Sequence, residues 1–476
     1  MFKNLSMMTD LYQLTMMNGY FVDGTHNNEA VFDMFYRRKE GLDYCISAGL
    51  EQLVDYIKNL KFTDDDVAYL QKRGGFNEGF LRYLRELKFT GDIYAVQEGE
   101  VIFPYEPLMR VKAPLIQAQL IETAALNILN HQTLIATKAS RVVHAAQGKS
   151  VVEFGLRRAH GPDAGIYGAR AAVIGGCGGT SNVLAGQLFD VAIKGTQSHS
   201  WVMSYEDELT AFERFADIYP DGCLLLVDTY DTLGSGVPNA IKVFKKLREK
   251  GHKPVGIRID SGDLAYLSKK ARQVLDDAGF KDAIIFASGD LDEEIITSLN
   301  VQGAHIDAYG VGTKLITSES NSSLGGVYKL SGVYINGEFC PRMKISDNPE
   351  KMTNPGLKKV YRIYGKDGMA EADLIALEGE SLKRPLVLKH ETLDWKKKAV
   401  DDYTFRELLT PVFLSGKVVY QKRSVAECAN YSQGELNRFW EEYKRLLNPH
   451  IYKVNVSEGL KKLKMRLLKE HSVKGE

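Results

Sequence analysis

Cysteine is scarce and dispersed in this chain. Cys45, Cys177, Cys223, Cys340 and Cys428 are five among 476 residues, with no C-x-x-C pair and no Cys/His cluster. That pattern encodes neither a disulfide framework nor a zinc site, and it points to a reducing, cytoplasmic setting. Net charge is missing as well. The 61 Lys and Arg balance the 61 Asp and Glu, so nothing electrostatic favours nucleic acid or an anionic membrane surface as a partner. No long apolar run occurs. The stretch from Pro114 to Thr137 is broken by Gln117, Gln119, Glu122, Asn127, Asn130 and His131, whereas a membrane span needs about 20 predominantly apolar residues. It reads as an amphipathic core helix. The N-terminus carries Asp10 and several amides where a signal peptide is apolar, which predicts no secretion signal. Repeats of solenoid length are lacking. So are a G-x-x-x-x-G-K-[ST] loop and a G-x-G-x-x-G turn in a first βαβ unit, so any nucleotide must be held in another way.

What is present is an ordinary globular composition, 44% hydrophobic and 26% charged, in a chain long enough for two or three domains. The middle third has a rhythm of short β-rich runs: Val151 to Phe154, Val191 to Ile193, Leu224 to Val227, Val255 to Ile259, Ile284 to Ala287 and Ile306 to Tyr309. Helical segments lie between the later runs, Pro238 to Lys250 before Gly251 and Leu264 to Ala278 before Gly279. A glycine after a charged last turn is a helix stop. The alternation predicts βαβ units and a parallel sheet, either a (β/α) barrel or a doubly wound sheet. The flanks differ. A strand is expected at Glu29 to Arg37, helices near Leu50 to Leu60 and Glu78 to Leu87, and strands between Ile93 and Val111. After residue 330 a strand is expected at Lys358 to Tyr364, a helix at Leu436 to Leu446, and a solvated terminal helix over Leu460 to Lys469.

Each run in the middle third ends in small, charged or hydroxyl residues, where such sheets build active sites. The Gly-rich loop from Gly175 to Asn182 and the turn Gly310-Val311-Gly312-Thr313-Lys314 allow backbone amides to approach an anion, although a structural turn is the plainer reading of the first. His199 lies in Gly195-Thr196-Gln197-Ser198-His199-Ser200. Imidazole is a nucleophile when a carboxylate fixes its other nitrogen, and Asp228 or Asp231 offers one. Asp228, Asp231, Asp260, Asp263 and Asp290 together suit hydroxyl contacts and a hard cation, Mg²⁺ where phosphates are handled. Asp263 and Asp290 also suit helix caps. Of Arg157 and Arg158, read as part of a half-buried strand, one is expected to reach a ligand. Arg258 interrupts the apolar strand Gly256-Ile257-Arg258-Ile259, and buried cations need partners.

Several motifs in one order carry a family resemblance: Thr9-Asp10-Leu11-Tyr12-Gln13, Phe35-Tyr36-Arg37-Arg38, Gly155-Leu156-Arg157-Arg158-Ala159, Ser181-Asn182-Val183-Leu184-Ala185-Gly186, Gly195-Thr196 with His199-Ser200, Gly256 through Leu264, and Gly310-Val311-Gly312-Thr313. Between about residue 8 and residue 365 the chain resembles nicotinate phosphoribosyltransferases. The resemblance implies an irregular (β/α) barrel of the quinolinate/nicotinate phosphoribosyltransferase type over residues 131–330. A flanking α+β domain (1–130) and a C-terminal region (331–476) packing on it complete the expected division. It implies an enzyme that joins nicotinate to phosphoribosyl pyrophosphate, with ATP as co-substrate, Mg²⁺, and a phosphohistidine at His199 oriented by Asp228. Nicotinate is then expected near Tyr12, Thr196 and Arg258, with Ser181 favouring a carboxylate. The phosphoribosyl group is expected near Arg157, Asp260, Gly289, Asp290, Gly310, Gly312 and Thr313. Arg157, Arg258 and Lys314 are expected to face Asp228, Asp260 and Asp290 across one rim. The resemblance also implies a homodimer whose active site is shared through Tyr12. Rival readings are nicotinamide or quinolinate transfer, and a non-catalytic sensor.

Overall fold

The computed structural model describes residues 4–389, 395 and 397–472, and contacts group the chain into two units. The first comprises Met1–Leu134, Ser323–Arg423 and Tyr431–Glu476. Among the described residues its largest sheet is antiparallel where Glu29–Tyr36 pairs with Gly326–Ile335 on one side and Met109–Pro114 on the other, followed by Asp92–Ala95 and Thr410–Leu414. Met34, Phe80, Leu84, Met109 and Val111 are fully or almost fully buried in one core with the helices Leu50–Lys58 and Glu78–Glu86. A helix not expected from the sequence, Asp64–Arg73, follows a capping box in which Thr63 and Asp66 exchange hydrogen bonds. Only Val67 and Leu70 of it are buried, so its apolar periodicity is weak and the cap was its local signal.

The strand Lys358–Tyr364 forms as expected, between Ala370–Leu377 and Thr404–Glu407. The helix expected at Leu436 to Leu446 does not. A helix runs instead over Val425–Leu436, opened by a reciprocal Ser424–Glu427 cap, and only a short turn, Glu441–Lys444, follows. The terminal helix Glu458–Ser472 is longer than expected and is not solvated all round. Leu460 is fully buried against Ile375 and Val456. The Pro114 to Thr137 stretch is two helices, Leu115–Leu120 and Glu122–Ala145. No helix among the described residues is long and apolar enough to cross a membrane.

The second unit comprises Ile135–Ser322 and Ser424–Asn430. Its strands are β1 (Ser150–Glu153), β2 (Leu224–Leu226), β3 (Gly256–Ile259), β4 (Ile284–Gly289) and β5 (Ala308–Val311), all parallel in the order β1-β5-β4-β3-β2. Thr180 and Ile193 extend the β1 edge through single parallel bridges. The expected strand Val191 to Ile193 is thus reduced to one paired residue, because Asp190 stands just before it in a left-handed conformation (φ 53°). Helices α1 (Val237–Glu249), α2 (Leu264–Asp277) and α3 (Glu293–Val301) alternate with β2 to β5. Gly251 and Gly279 stop the first two with φ of 86° and 84°, a conformation that favours glycine.

Side chains alternate along these strands. Leu225, Ile257 and Ile285 pack with Phe244, Leu275 and Phe280 of the helical layer. Val152, Leu224, Phe286 and Ala308 form a second cluster on the opposite face. Each fully buried Leu, Ile or Phe contributes about 1.5–3 kcal/mol. The alternation also decides where Arg258 goes: with Ile257 and Ile259 committed to the helical layer, it must share the face of Phe286, its register neighbour.

Candidate active site

Arg258 is half-buried on that inner face, at the C-terminal end of β3, and each of its three nitrogens meets a partner. Nε donates to Ser288 Oγ at 2.7 Å, one Nη donates to Asp260 Oδ1 at 2.7 Å, and the other reaches Thr196 Oγ1 at 3.4 Å. The guanidinium also lies 5.4 Å from the centre of the Phe154 ring, which stacks on Phe286. A fork held on three sides, with one face against an aromatic ring, is a rigid anion receptor.

Asp260 is the hub beside it. It accepts from Arg258 and Ser288, and its second oxygen lies 3.9 Å from His199 Nε2. Burial opposes its charge, but the Ser288 hydroxyl and Arg258 outweigh that and hold the carboxyl below the ordinary aspartate range. A carboxylate whose folded pKa is depressed stabilises the fold above its unfolded pKa and loses that contribution as pH falls through the folded value. The stability advantage of the wild type over Asp260→Asn should therefore be constant above about pH 5 and vanish on acidification below the ordinary carboxylate range. Denaturant titrations of both proteins across that range check it.

His199 opens the short helix His199–Met203 and is part-exposed. Its Nδ1 lies 3.1 Å from Thr229 Oγ1. This differs from the expected partner: Asp228 directs Oδ2 to the Asp260 amide at 3.0 Å and to the Ser261 hydroxyl at 2.6 Å, while its Oδ1 is buried with no hydrogen-bond partner among the described residues. Asp231 caps the turn after β2, accepting from Gly234 N–H at 2.8 Å. Each aspartate is drawn to the backbone amides of its own neighbourhood, which leaves the threonine beside Asp228 to meet the ring.

The remaining expected residues divide. Gly289, at φ 119°, ends β4; a Cβ there would lie 2.7 Å from the Asp260 carbonyl oxygen. Gly310 of β5 leaves room for the Phe154 ring, which a Cβ would meet at 2.6 Å. Gly312 and Thr313 follow at the start of the short turn Thr313–Ile316. Lys314 lies within electrostatic reach of Asp290, but its ion pair is with another aspartate. It pairs with Asp292 at 2.6 Å, and Asp292, not Asp290, caps α3 through the Ile295 amide. Asp290 is exposed. Asp263 caps α2 as expected. Arg157 and Arg158 lie beyond β1 on the 3-10 turn Leu156–Arg158 with both side chains exposed, so strand alternation does not separate them. Ser181 is half-buried beside Asn182, whose side chain caps the helix Val183–Phe189. Tyr12, in the first unit, is 49% exposed on the helix Leu11–Val22.

Sequence reasoning did not single out Thr229, Ser288, Phe154 or Glu153. Glu153 is fully buried at the end of β1, where it accepts from the Thr180 hydroxyl at 2.6 Å and from the Gly155 amide; burial pushes its carboxyl up against those two hydrogen bonds. It ties the turn carrying Arg157 to the Gly-rich loop. The only local signal was its place at a strand end.

Comparisons with known proteins identify the family and the fold. Residues 7–130 match the family model described as the nicotinate phosphoribosyltransferase (NAPRTase) N-terminal domain, and residues 357–464 match the nicotinate phosphoribosyltransferase C-terminal domain. The chain is 48% identical over 473 residues to nicotinate phosphoribosyltransferase of Bacillus subtilis, covering 98% of this chain and 96% of the relative. It is 36% identical over 519 residues to the Caenorhabditis elegans protein of that name, covering 95% and 92%. Among solved structures, human nicotinic acid phosphoribosyltransferase superposes with a TM-score of 0.85 at 30% identity, over 97% of this chain and 99% of the human one. Nicotinate-nucleotide pyrophosphorylase from Pyrococcus furiosus, at 23% identity, has a TM-score of 0.70 over 91% and 95%, which shows the shared fold. The fold is thus the expected irregular α/β barrel with N- and C-terminal domains, and near-complete matches at these identities establish that the chain belongs to the nicotinate phosphoribosyltransferase family of enzymes.

Proposed function

We propose that this enzyme joins nicotinate to 5-phosphoribosyl 1-pyrophosphate, giving nicotinate mononucleotide and pyrophosphate in NAD salvage, with ATP hydrolysis coupled through a phosphohistidine at His199. The observation that carries this reading is the Arg258 fork, held by Ser288, Asp260 and Thr196 within the same cluster as His199. Breaking the anomeric C–O bond leaves positive charge on the ribose and negative charge on the departing pyrophosphate, while the pyridine nitrogen forms the new C–N bond. Catalysis then rests on positioning and on fixed charges placed beforehand.

In this reading Arg258 and Thr196 hold the nicotinate carboxylate, with Tyr12 of the partner subunit against the ring and the neutral Ser181 favouring an acid over an amide. Leu11, Tyr12 and Met16 are exposed on one helix, which supports a homodimer. Arg157, Asp260, Gly289, Asp290, Gly310, Gly312 and Thr313 serve the phosphoribosyl group. Thr229 Oγ1 accepts a hydrogen bond from the Nδ1–H of His199 and leaves Nε2 with its lone pair to attack the γ-phosphorus of ATP, the bond to ADP breaking. Asp228 orients Asp260 and Ser261 rather than the ring. Its unpartnered Oδ1 is an oxygen donor that fits Mg²⁺. No three His, Cys, Asp or Glu side chains converge on a metal position among the described residues, so Asp228 would share the ion with substrate oxygens. When bound, Mg²⁺ would neutralise charge on the pyrophosphate. The division into residues 1–130, 131–330 and 331–476, supported by the family matches to 7–130 and 357–464, and a cytoplasmic location belong to the same proposal.

Radiolabelled ATP provides the test. Acid-labile label is expected on wild-type protein and absent from His199→Asn, and an unlabelled wild type would leave only a sensor or an uncoupled transferase. Competition among nicotinate, nicotinamide and quinolinate fixes the base: turnover of nicotinamide without turnover of nicotinate would overturn the assignment. Thr229→Val removes a single neutral hydrogen bond and should slow labelling roughly fivefold to tenfold, with the KM for nicotinate unchanged.

A further inference from the structure

A buried carboxylate outside the proposed chemistry stands at the end of β1. Both oxygens of Glu153 face donors: Oε2 accepts from the Thr180 hydroxyl at 2.6 Å, and Oε1 accepts from the Gly155 amide. Two donors on two oxygens are what an ionised carboxylate takes, and such charge-assisted bonds are about twice as strong as neutral ones. The two bonds lead to different loops. Gly155 opens the turn of Arg157, and its carbonyl closes that turn by accepting from the Arg158 and Ala159 amides at 2.8 and 3.1 Å. A Cβ at Gly155 would lie 2.8 Å from Glu153 Oε1 and 2.5 Å from Ile316, so this close approach needs a glycine. Thr180 belongs to the Gly-rich loop. Its hydroxyl oxygen accepts from the Asn182 amide at 3.0 Å while its proton goes to Glu153. Ser181, between them, donates its own amide to the Glu153 carbonyl at 2.9 Å, and the Glu153 amide donates to the Gly179 carbonyl at 3.0 Å.

We infer that Glu153 is a positioning residue that fixes the Arg157 turn and the Ser181 loop against each other, so that one carboxylate places the phosphoribosyl and nicotinate half-sites together; this rests on the roles proposed above for Arg157 and Ser181. The Arg157 side chain is exposed, so the backbone turn beneath it decides where its charge lies. Ser181 has a short side chain, and any shift of its loop moves the hydroxyl by the same amount. Misplacement by about 1 Å is enough to impair a site, even when it originates away from the reacting atoms.

Steady-state kinetics and amide hydrogen exchange on the full-length protein test it. Glu153→Gln keeps the shape but offers one acceptor oxygen where two donors converge, which leaves a buried donor unsatisfied. The KM for nicotinate and the KM for phosphoribosyl pyrophosphate should both rise about fivefold to tenfold, with kcat within about twofold of the wild type. Thr180→Val cuts only the loop side and should raise the KM for nicotinate more than that for phosphoribosyl pyrophosphate. Thr180→Ser keeps the hydroxyl and should behave as the wild type in both. A purely structural role would lower the amount of folded enzyme and leave both KM values unchanged. Exchange reads the link without substrate: in Glu153→Gln, protection should fall in residues 155–159 and 179–182 together and hold in β3. Faster exchange in one of these segments only, or in neither, would overturn the inference whatever the substrate proves to be. A wild type that never turns over nicotinate would defeat the proposed function, whereas normal wild-type turnover with unchanged KM values in Glu153→Gln would defeat this inference alone.

Discussion

Arg258→Ala is expected to lower kcat/KM for nicotinate roughly a hundredfold to a thousandfold, the cost of removing one preorganised charge-stabilising donor. The argument is geometric. One side chain bridges Ser288, Asp260 and Thr196, contributed by three separate strand ends and loops, and stands over the Phe154 ring. Alanine removes the cation proposed to receive the anion and also leaves Asp260 without the guanidinium that pairs with it. Arg258→Lys should recover little, because a single ammonium cannot reproduce a planar fork bonded at three of its nitrogens. Steady-state kinetics on both variants, with circular dichroism to confirm folding, check this. Full activity in Arg258→Ala would remove the residue from the site.

Arg362→Ala should destabilise the first unit by about 3–5 kcal/mol, the cost of breaking one member of a buried ion network. Arg362 is fully buried. It donates to Asp373 at 3.0 and 2.7 Å, to Glu100 at 2.6 Å and to the Val101 carbonyl at 2.7 Å. Glu100, 1% exposed, is also held by Arg406 at 2.7 Å and by the Tyr431 hydroxyl at 2.5 Å. Burial opposes the charge of Glu100, but Arg362 and Arg406 hold its carboxyl below the ordinary glutamate range. Without Arg362, Asp373 loses both guanidinium bonds and keeps the neutral Tyr452 hydroxyl at 3.1 Å. Such a loss is a large share of a typical domain's total stability. Chemical denaturation should show a lower midpoint, and an unchanged midpoint would mean that the network relaxes around the gap.

These two arginines show how far local sequence reaches. Arg258 was legible because it interrupts an apolar strand, and an alternating strand has only two faces. Arg362 sits in the correctly expected strand Lys358–Tyr364, yet its partners are Glu100, remote in sequence, and Asp373 on the neighbouring strand. Nothing near residue 362 announces them. The same distinction separates the helix ends at Gly251 and Gly279, read directly from glycine after a charged turn, from the helix Val425–Leu436. That helix begins at a Ser424–Glu427 cap too small to outweigh the apolar run further on.

The sequence by itself determined the alternation of strands and helices in the barrel, the polar strand ends and the family. All of these rest on residue patterns a few positions long or on motif order. Only the tertiary structure decided which charge meets which. It gave His199 to Thr229 instead of Asp228, Lys314 to Asp292 instead of Asp290, and Arg258 to Ser288 and Thr196, 30 and 62 residues away. Parallel strands bring their C-terminal ends together only after each crossover helix has packed, and the backbone amides near each carboxylate compete for it first. Side-chain pairing at the rim is therefore a property of the assembled sheet.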